Sequence, residues 1–180
     1  VQGVRGFRLY SSNKTTANWK SSAGMKAMWK HGADSRLAMC CLADPDALPN
    51  INTMCREFPE TPGVIDHFAR IGVSGTVEQA YLDQLLALAK FKNTYVKTSA
   101  FYALGKKQAP YTELGPMIRQ LRDAFGAERL MWATDCPFQS AEGHTYGASI
   151  ELIRDRLDFL SETDKQWMLR KTAEKVFFQA

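Results

Sequence analysis

Two apolar stretches of this sequence stop on groups able to carry a proton or hold a cation. GVIDH (63–67) ends on Asp66 and His67, and LMWATDCPF (130–138) runs into Asp135, Cys136 and Pro137. An imidazole and a carboxylate at the ends of buried segments can do acid–base work or ligate a metal. Both also have structural readings: a single His at a strand end is commonly a hydrogen-bonded one, and an acid before Cys-Pro can cap a turn. Arg8, after GF, and Lys97 and Ser99, after TYV, stand at comparable strand ends. Arg8 and Lys97 could hold a substrate carboxylate, Arg8 through paired hydrogen bonds, or could be ion-paired within the fold. AFYALGKKQAPY (100–111) reads as a loop able to cover a substrate with Phe101 and Tyr102. Arg8, Lys97, Ser99 and Tyr102 are thus the candidate substrate-binding residues. Nothing in the sequence marks Cys136 as a nucleophile, and His144, in AEGHTYG, stands alone.

The elements that must position these groups alternate along the chain. Strands are expected over 3–10, 36–43, 62–68, 93–100 and 128–135. Helices are expected over 21–34, within 44–59 ending before Pro59, and over 76–90, 111–126, 148–160 and 162–177. RLAMCCLA (36–43) is a continuous apolar run, which suits a strand covered on both faces of a parallel sheet. Gly32 and Gly126 read as helix-end signals, and SETD (161–164) as a capped helix start. Strands taking turns with helices imply parallel β/α units. A doubly wound nucleotide-binding sheet would carry GxGxxG or GxxxxGK[ST] after its first strand, and neither occurs. A (β/α)8 TIM barrel, whose functional residues gather at the carboxyl ends of different strands, fits the scatter of polar strand ends better. Strand alternation puts Tyr95, Lys97 and Ser99 on one face, Met131, Ala133 and Asp135 on one face, and Ile65 with His67. Asp66 would then point away from His67 and serve the structure.

Composition excludes several classes. No apolar run approaches the ~20 residues of a membrane-spanning helix, and no signal-peptide layout opens the chain. The formal net charge of +4 is spread rather than clustered, which argues against nucleic acid as a partner. Four cysteines without a CxxC pair or regular spacing read as reduced thiols, and so as a cytoplasmic setting. With no linker or repeat, residues 1–180 read as a single α/β domain. The chain opens at Val1 directly on a strand, so an upstream segment is expected.

GVIDHFARIG, NTYVKTSAFYALG and RLMWATDCPF, in this order, closely resemble the amidohydrolase-related family of metal-dependent hydrolases, lactonases and decarboxylases. The closing MLRKTAEKVFF resembles the helix that follows the family's last strand. The resemblance implies an amidohydrolase-type (β/α)8 barrel with its site at the mouth. Here His67 and Asp135 would hold a divalent metal ion, zinc or manganese, and Asp135 would act as the catalytic acid/base. Some lactonases of this family look metal-independent, so a cation is implied without being required. Metal-binding members open with His-x-His, whereas this chain holds only His31, His67 and His144. That gap, and five strands where a barrel has eight, lead to the expectation of an incomplete barrel whose N-terminal strands lie upstream. The activity implied is hydrolysis of a small lactone, ester or amide. The alternatives are non-oxidative decarboxylation and a catalytically silent barrel or interaction module. A small-molecule substrate is the expected partner, and exposed sheet edges would favour a homo-oligomer.

Overall fold

A computed structural model describes residues 3–178. Five strands form one sheet: β1 (Gly6–Ser11), β2 (Ala38–Ala43), β3 (Gly63–Ile65), β4 (Thr94–Ser99) and β5 (Leu130–Ala133). All neighbours are parallel and their order is the order of the chain. Sequential parallel pairing with a crossover each time is the winding of a (β/α) barrel, of which these are five strands of the eight that close it. Among the described residues no helix is long and apolar enough to cross a membrane.

The helices follow from caps and apolar faces. Beyond the expected set, a one-turn helix α1 (Asn13–Thr16) starts at Ser12, whose side chain and that of Thr15 cap each other's backbone. α2 (Ala23–Ser35) begins where Ser22 accepts from the Met25 amide. It runs to Ser35, one residue past the expected 34, and its cap is not Gly32, read as the end signal, but Arg36, in the left-handed region at φ 52°. Gly32 is there for closeness instead. A methyl group at that position would lie 2.6 Å from the Met39 side chain and 3.0 Å from the Leu37 carbonyl oxygen, so glycine lets the helix seat on β2. α3 (Leu48–Glu57), α4 (Gln79–Leu86) and α5 (Gly115–Phe125) pack on the same side of the sheet, and α5 does end at Gly126. α6 (Tyr146–Glu151) continues in wider turns to Arg156. α7 (Glu162–Gln166) continues through Lys171, and a last helical stretch spans Glu174–Phe178. Ser161 and Asp164 form the expected reciprocal cap, with contacts of 3.1 and 3.0 Å.

The core lies on two faces. Between sheet and helices, Trp29, Met39, Ile65, Val96, Phe101 and Leu130 are buried together with the apolar faces of α2 to α5. On the other face, which a closed barrel turns inward, Ala38, Cys40, Val64, Tyr95 and Met131 are covered by Val176. The in-register row Arg8, Cys40, Val64, Tyr95 continues two residues on into Asp66 and Lys97. The inner face is therefore apolar at its base and charged at its carboxyl end.

Candidate active site

Three strands end by leaving extended geometry in an uncommon way. After β3, four consecutive non-glycine residues, His67, Phe68, Ala69 and Arg70, have φ of 53°, 54°, 52° and 57°, one turn of left-handed helix. Ala100, directly after β4, and Asp135, two residues after β5, have φ of 60° and 51°. Left-handed backbone costs an L-residue roughly 1–2 kcal/mol and persists where the surroundings over-determine it. Here Phe68 is fully buried, with its ring 6.0 Å from that of Phe101, and Ala69 is fully buried beside it. With those two side chains anchored in the core, His67 and Arg70 both face a cavity of about 260 Å³.

That cavity is lined by Arg8, His67, Arg70, Tyr102, Asp135 and Phe138, with Leu42, Ala100, Ala103 and Leu104 between them. At its floor the buried His67 has Nδ1 2.8 Å from the Ser99 hydroxyl and Nε2 3.4 Å from Asp135 Oδ1. The Tyr102 hydroxyl donates to Asp135 Oδ2 at 2.8 Å. Burial pushes the His67 imidazole below its ordinary pKa, and the Asp135 and Asp66 carboxylates oppose that shift without reversing it, so the surroundings favour the neutral ring. Burial and the neighbouring carboxylate push the Tyr102 phenol above its ordinary range, so it remains a donor.

Below the cavity, Asp66 is completely buried, with Lys97 Nζ 2.8 Å from Oδ1 and Arg8 Nε 3.3 Å from Oδ2. These are ion-pair distances; neither contact is aligned as a hydrogen bond. Lys97 and Ser99 do not line the cavity. Lys97 sits against Asp66, its ammonium 5.6 Å from the Phe177 ring, and Ser99 holds the far nitrogen of His67. Asp66 has the structural role expected of it, buried in its ion pairs; the departure from the sequence reading is His67. Alternation holds through Val64 and Asp66, which share the inner face, whereas His67 reaches the cavity through the left-handed turn and not by sharing a face with Ile65.

Sequence reasoning missed Arg70 and its partner Asp44, which meet at 2.7 Å. Asp44 carried the same signal as the residues that were found, a polar group directly after the apolar strand AMCCLA. Arg70 carried none, because three residues beyond His67 means the same side only if the turn is known. Cys136 is exposed, 3.7 Å from the Ser140 hydroxyl. His144 is not isolated: its Nδ1 lies 2.8 Å from the Tyr111 hydroxyl.

The donor set fits a divalent cation in part. The Nδ1 of His67 is fixed by a hydroxyl as ligating imidazoles usually are, and a carboxylate stands beside Nε2. Among the described residues no third His, Cys, Asp or Glu joins them in a group able to hold a metal ion.

A parallel β/α sheet with a polar cavity at the carboxyl ends of its strands is the layout of a TIM-barrel site. The chain belongs to the amidohydrolase family, whose family model matches residues 1–179. It is 31% identical over 114 residues to L-fucono-1,5-lactonase of Burkholderia ambifaria, a match covering 62% of this chain and 39% of that protein. It is 29% identical over 139 residues to 4-sulfomuconolactone hydrolase of Rhizobium radiobacter, covering 76% and 45%. The chain thus spans less than half the length of these curated relatives. A zinc-bound crystal structure of an amidohydrolase from Burkholderia multivorans shares the fold at a TM-score of 0.82 and 17% identity, over 97% of this chain and 64% of that one.

Proposed function

We propose that the protein hydrolyses a small lactone bearing an anionic substituent. The observation that carries this reading is the His67–Asp135 pair, 3.4 Å apart, at the floor of a cavity whose wall presents Arg8 and Arg70. Lactone hydrolysis needs a base for the attacking water, a donor for the departing ring oxygen and polarisation of the carbonyl. Asp135 takes a proton from water as the oxygen bonds to the carbonyl carbon. It returns that proton to the ring oxygen as the ring C–O bond breaks. One water is consumed and an open-chain hydroxy acid results.

His67, held by Ser99, presents Nε2 to the same space. His67 and Asp135 would hold a zinc or manganese ion, which when bound supplies Lewis acidity and a water acidified toward pKa ~7. Arg8 and Arg70 each have one carboxylate partner, Asp66 and Asp44, and remain about half exposed, so each keeps donors for an anion. Two curated relatives carrying lactone hydrolase names support the reaction class, and the name of one includes a sulfonated lactone.

The test is a set of lactones of similar size with and without a carboxylate or sulfonate, followed by proton release on ring opening. Faster opening of the anionic members is expected. Release of carbon dioxide from an acid substrate, or equal rates with neutral and anionic lactones, would contradict the proposal.

A further inference from the structure

The hydroxyl of Tyr102 lies 2.8 Å from Asp135 Oδ2. We infer that Tyr102 is a positioning residue, which fixes the Asp135 carboxylate by one oxygen so that the other is aimed at the reacting water. The inference rests on the proposed role of Asp135 as the base.

The two residues belong to separate loops, Tyr102 to the turn after β4 and Asp135 to the segment after β5, and each loop is entered through a left-handed residue. A carboxylate turns easily about its last side-chain torsion, where preferences are broad. Among the described residues the Asp135 side chain has two polar partners, Tyr102 on Oδ2 and His67 near Oδ1. The His67 contact is the longer, so the Tyr102 hydrogen bond is what sets the plane of the carboxylate.

The phenol is itself held without help from a substrate. Its ring stacks on Phe138 with centroids 6.4 Å apart and planes at 21°, and meets the His144 ring at 5.8 Å. His144 is tied to the hydroxyl of the fully buried Tyr111, which also receives the Gln139 amide at 3.2 Å. The chain of contacts runs from the core, through Tyr111 and His144, to Tyr102 and then to Asp135. A side chain held this way on the reacting group affects turnover; one that binds substrate equally in ground and transition states affects KM.

Tyr102→Phe removes one oxygen and keeps the ring contacts. With an anionic lactone as substrate, kcat should fall on the order of 10–100-fold, the scale of a small misplacement of a reacting group, with KM within about twofold of wild type. In Tyr102→Phe/Asp135→Asn the tyrosine change should add no further loss to that of Asp135→Asn, because it acts only through that carboxylate. A raised KM with unchanged kcat would make Tyr102 a substrate contact and overturn the inference, as would unchanged kinetics or additive losses in the double variant. If Asp135→Asn itself keeps wild-type turnover, the assignment of the base falls and this inference with it; if only Tyr102→Phe does, this inference falls alone. Tyr102→Met, which fills the space without a donor, takes the place of the Phe variant should that protein fail to fold.

Discussion

The imidazole of His67 and the carboxylate of Asp135 meet at 3.4 Å although one follows β3 and the other β5, with Ser99 at the end of β4 holding the far side of the imidazole. Three neighbouring strands thus contribute one residue each to a connected group. If the protein binds a divalent cation there, Ser99→Ala should weaken it ~10–100-fold, as loss of an outer contact does, and His67→Ala should weaken it more. Elemental analysis of dialysed protein at graded free zinc checks this. Equal metal content in wild type and His67→Ala would remove His67 from the site.

Arg70 should set preference for charge. Its guanidinium can spare donors for an anion while held by Asp44, and a charged hydrogen bond is worth ~1.5–3 kcal/mol. Arg70→Gln should therefore raise KM for an anionic lactone by roughly 10–100-fold and leave a neutral lactone little changed. Steady-state kinetics on a matched pair of lactones decides it. An equal effect on both would show that Arg70 shapes the cavity without reading charge.

Much of this architecture was legible beforehand, for reasons tied to particular residues. The run AMCCLA is apolar because both of its faces are covered, and its strand appears within the expected bounds. Asp135 and His67 were visible because polar groups interrupt apolar runs at strand ends, and those interruptions line the cavity. What escaped was backbone handedness. Four left-handed residues in HFAR have no glycine or asparagine to announce them, so period-two counting was carried past Ile65 and misplaced His67 on the Ile65 face. Gly32 was misread for the opposite reason: its small size serves packing against Met39, while Arg36 takes the left-handed cap.

The Asp66–Lys97 contact makes a prediction for stability. Asp66 is fully buried and Lys97, 2.8 Å away, keeps 18% of its side chain exposed; removing Lys97 leaves the buried carboxylate with only the half-exposed Arg8, 3.3 Å away. Lys97→Met should cost about 3–5 kcal/mol, and adding Asp66→Asn to it should recover most of the loss. Urea denaturation of the single and double variants measures both. A Lys97→Met protein as stable as wild type would mean that Arg8 alone neutralises Asp66.

The thiols should separate by burial. Burial pushes Cys40 and Cys55 up to about 11, and Cys41 upward as well, while Cys136 is exposed. Native protein treated with iodoacetamide at neutral pH should take up label at Cys136, with Cys40, Cys41 and Cys55 labelled only after denaturation. A thiol pKa raised by folding stabilises below its unfolded value, and that contribution is lost as pH rises from about 9 toward about 11. The melting temperature should accordingly fall over that range. Rapid labelling of Cys40 in the native state would contradict the packed inner face.

The most direct test of the account is turnover by Asp135→Asn. Asparagine keeps the size of the side chain, and its carbonyl can still accept from Tyr102, while its basicity is gone. General acid–base groups contribute ~10²–10⁴-fold to rate. The account predicts a protein that melts close to wild type and opens an anionic lactone at least ~10²-fold more slowly; a variant retaining half or more of wild-type turnover would contradict it.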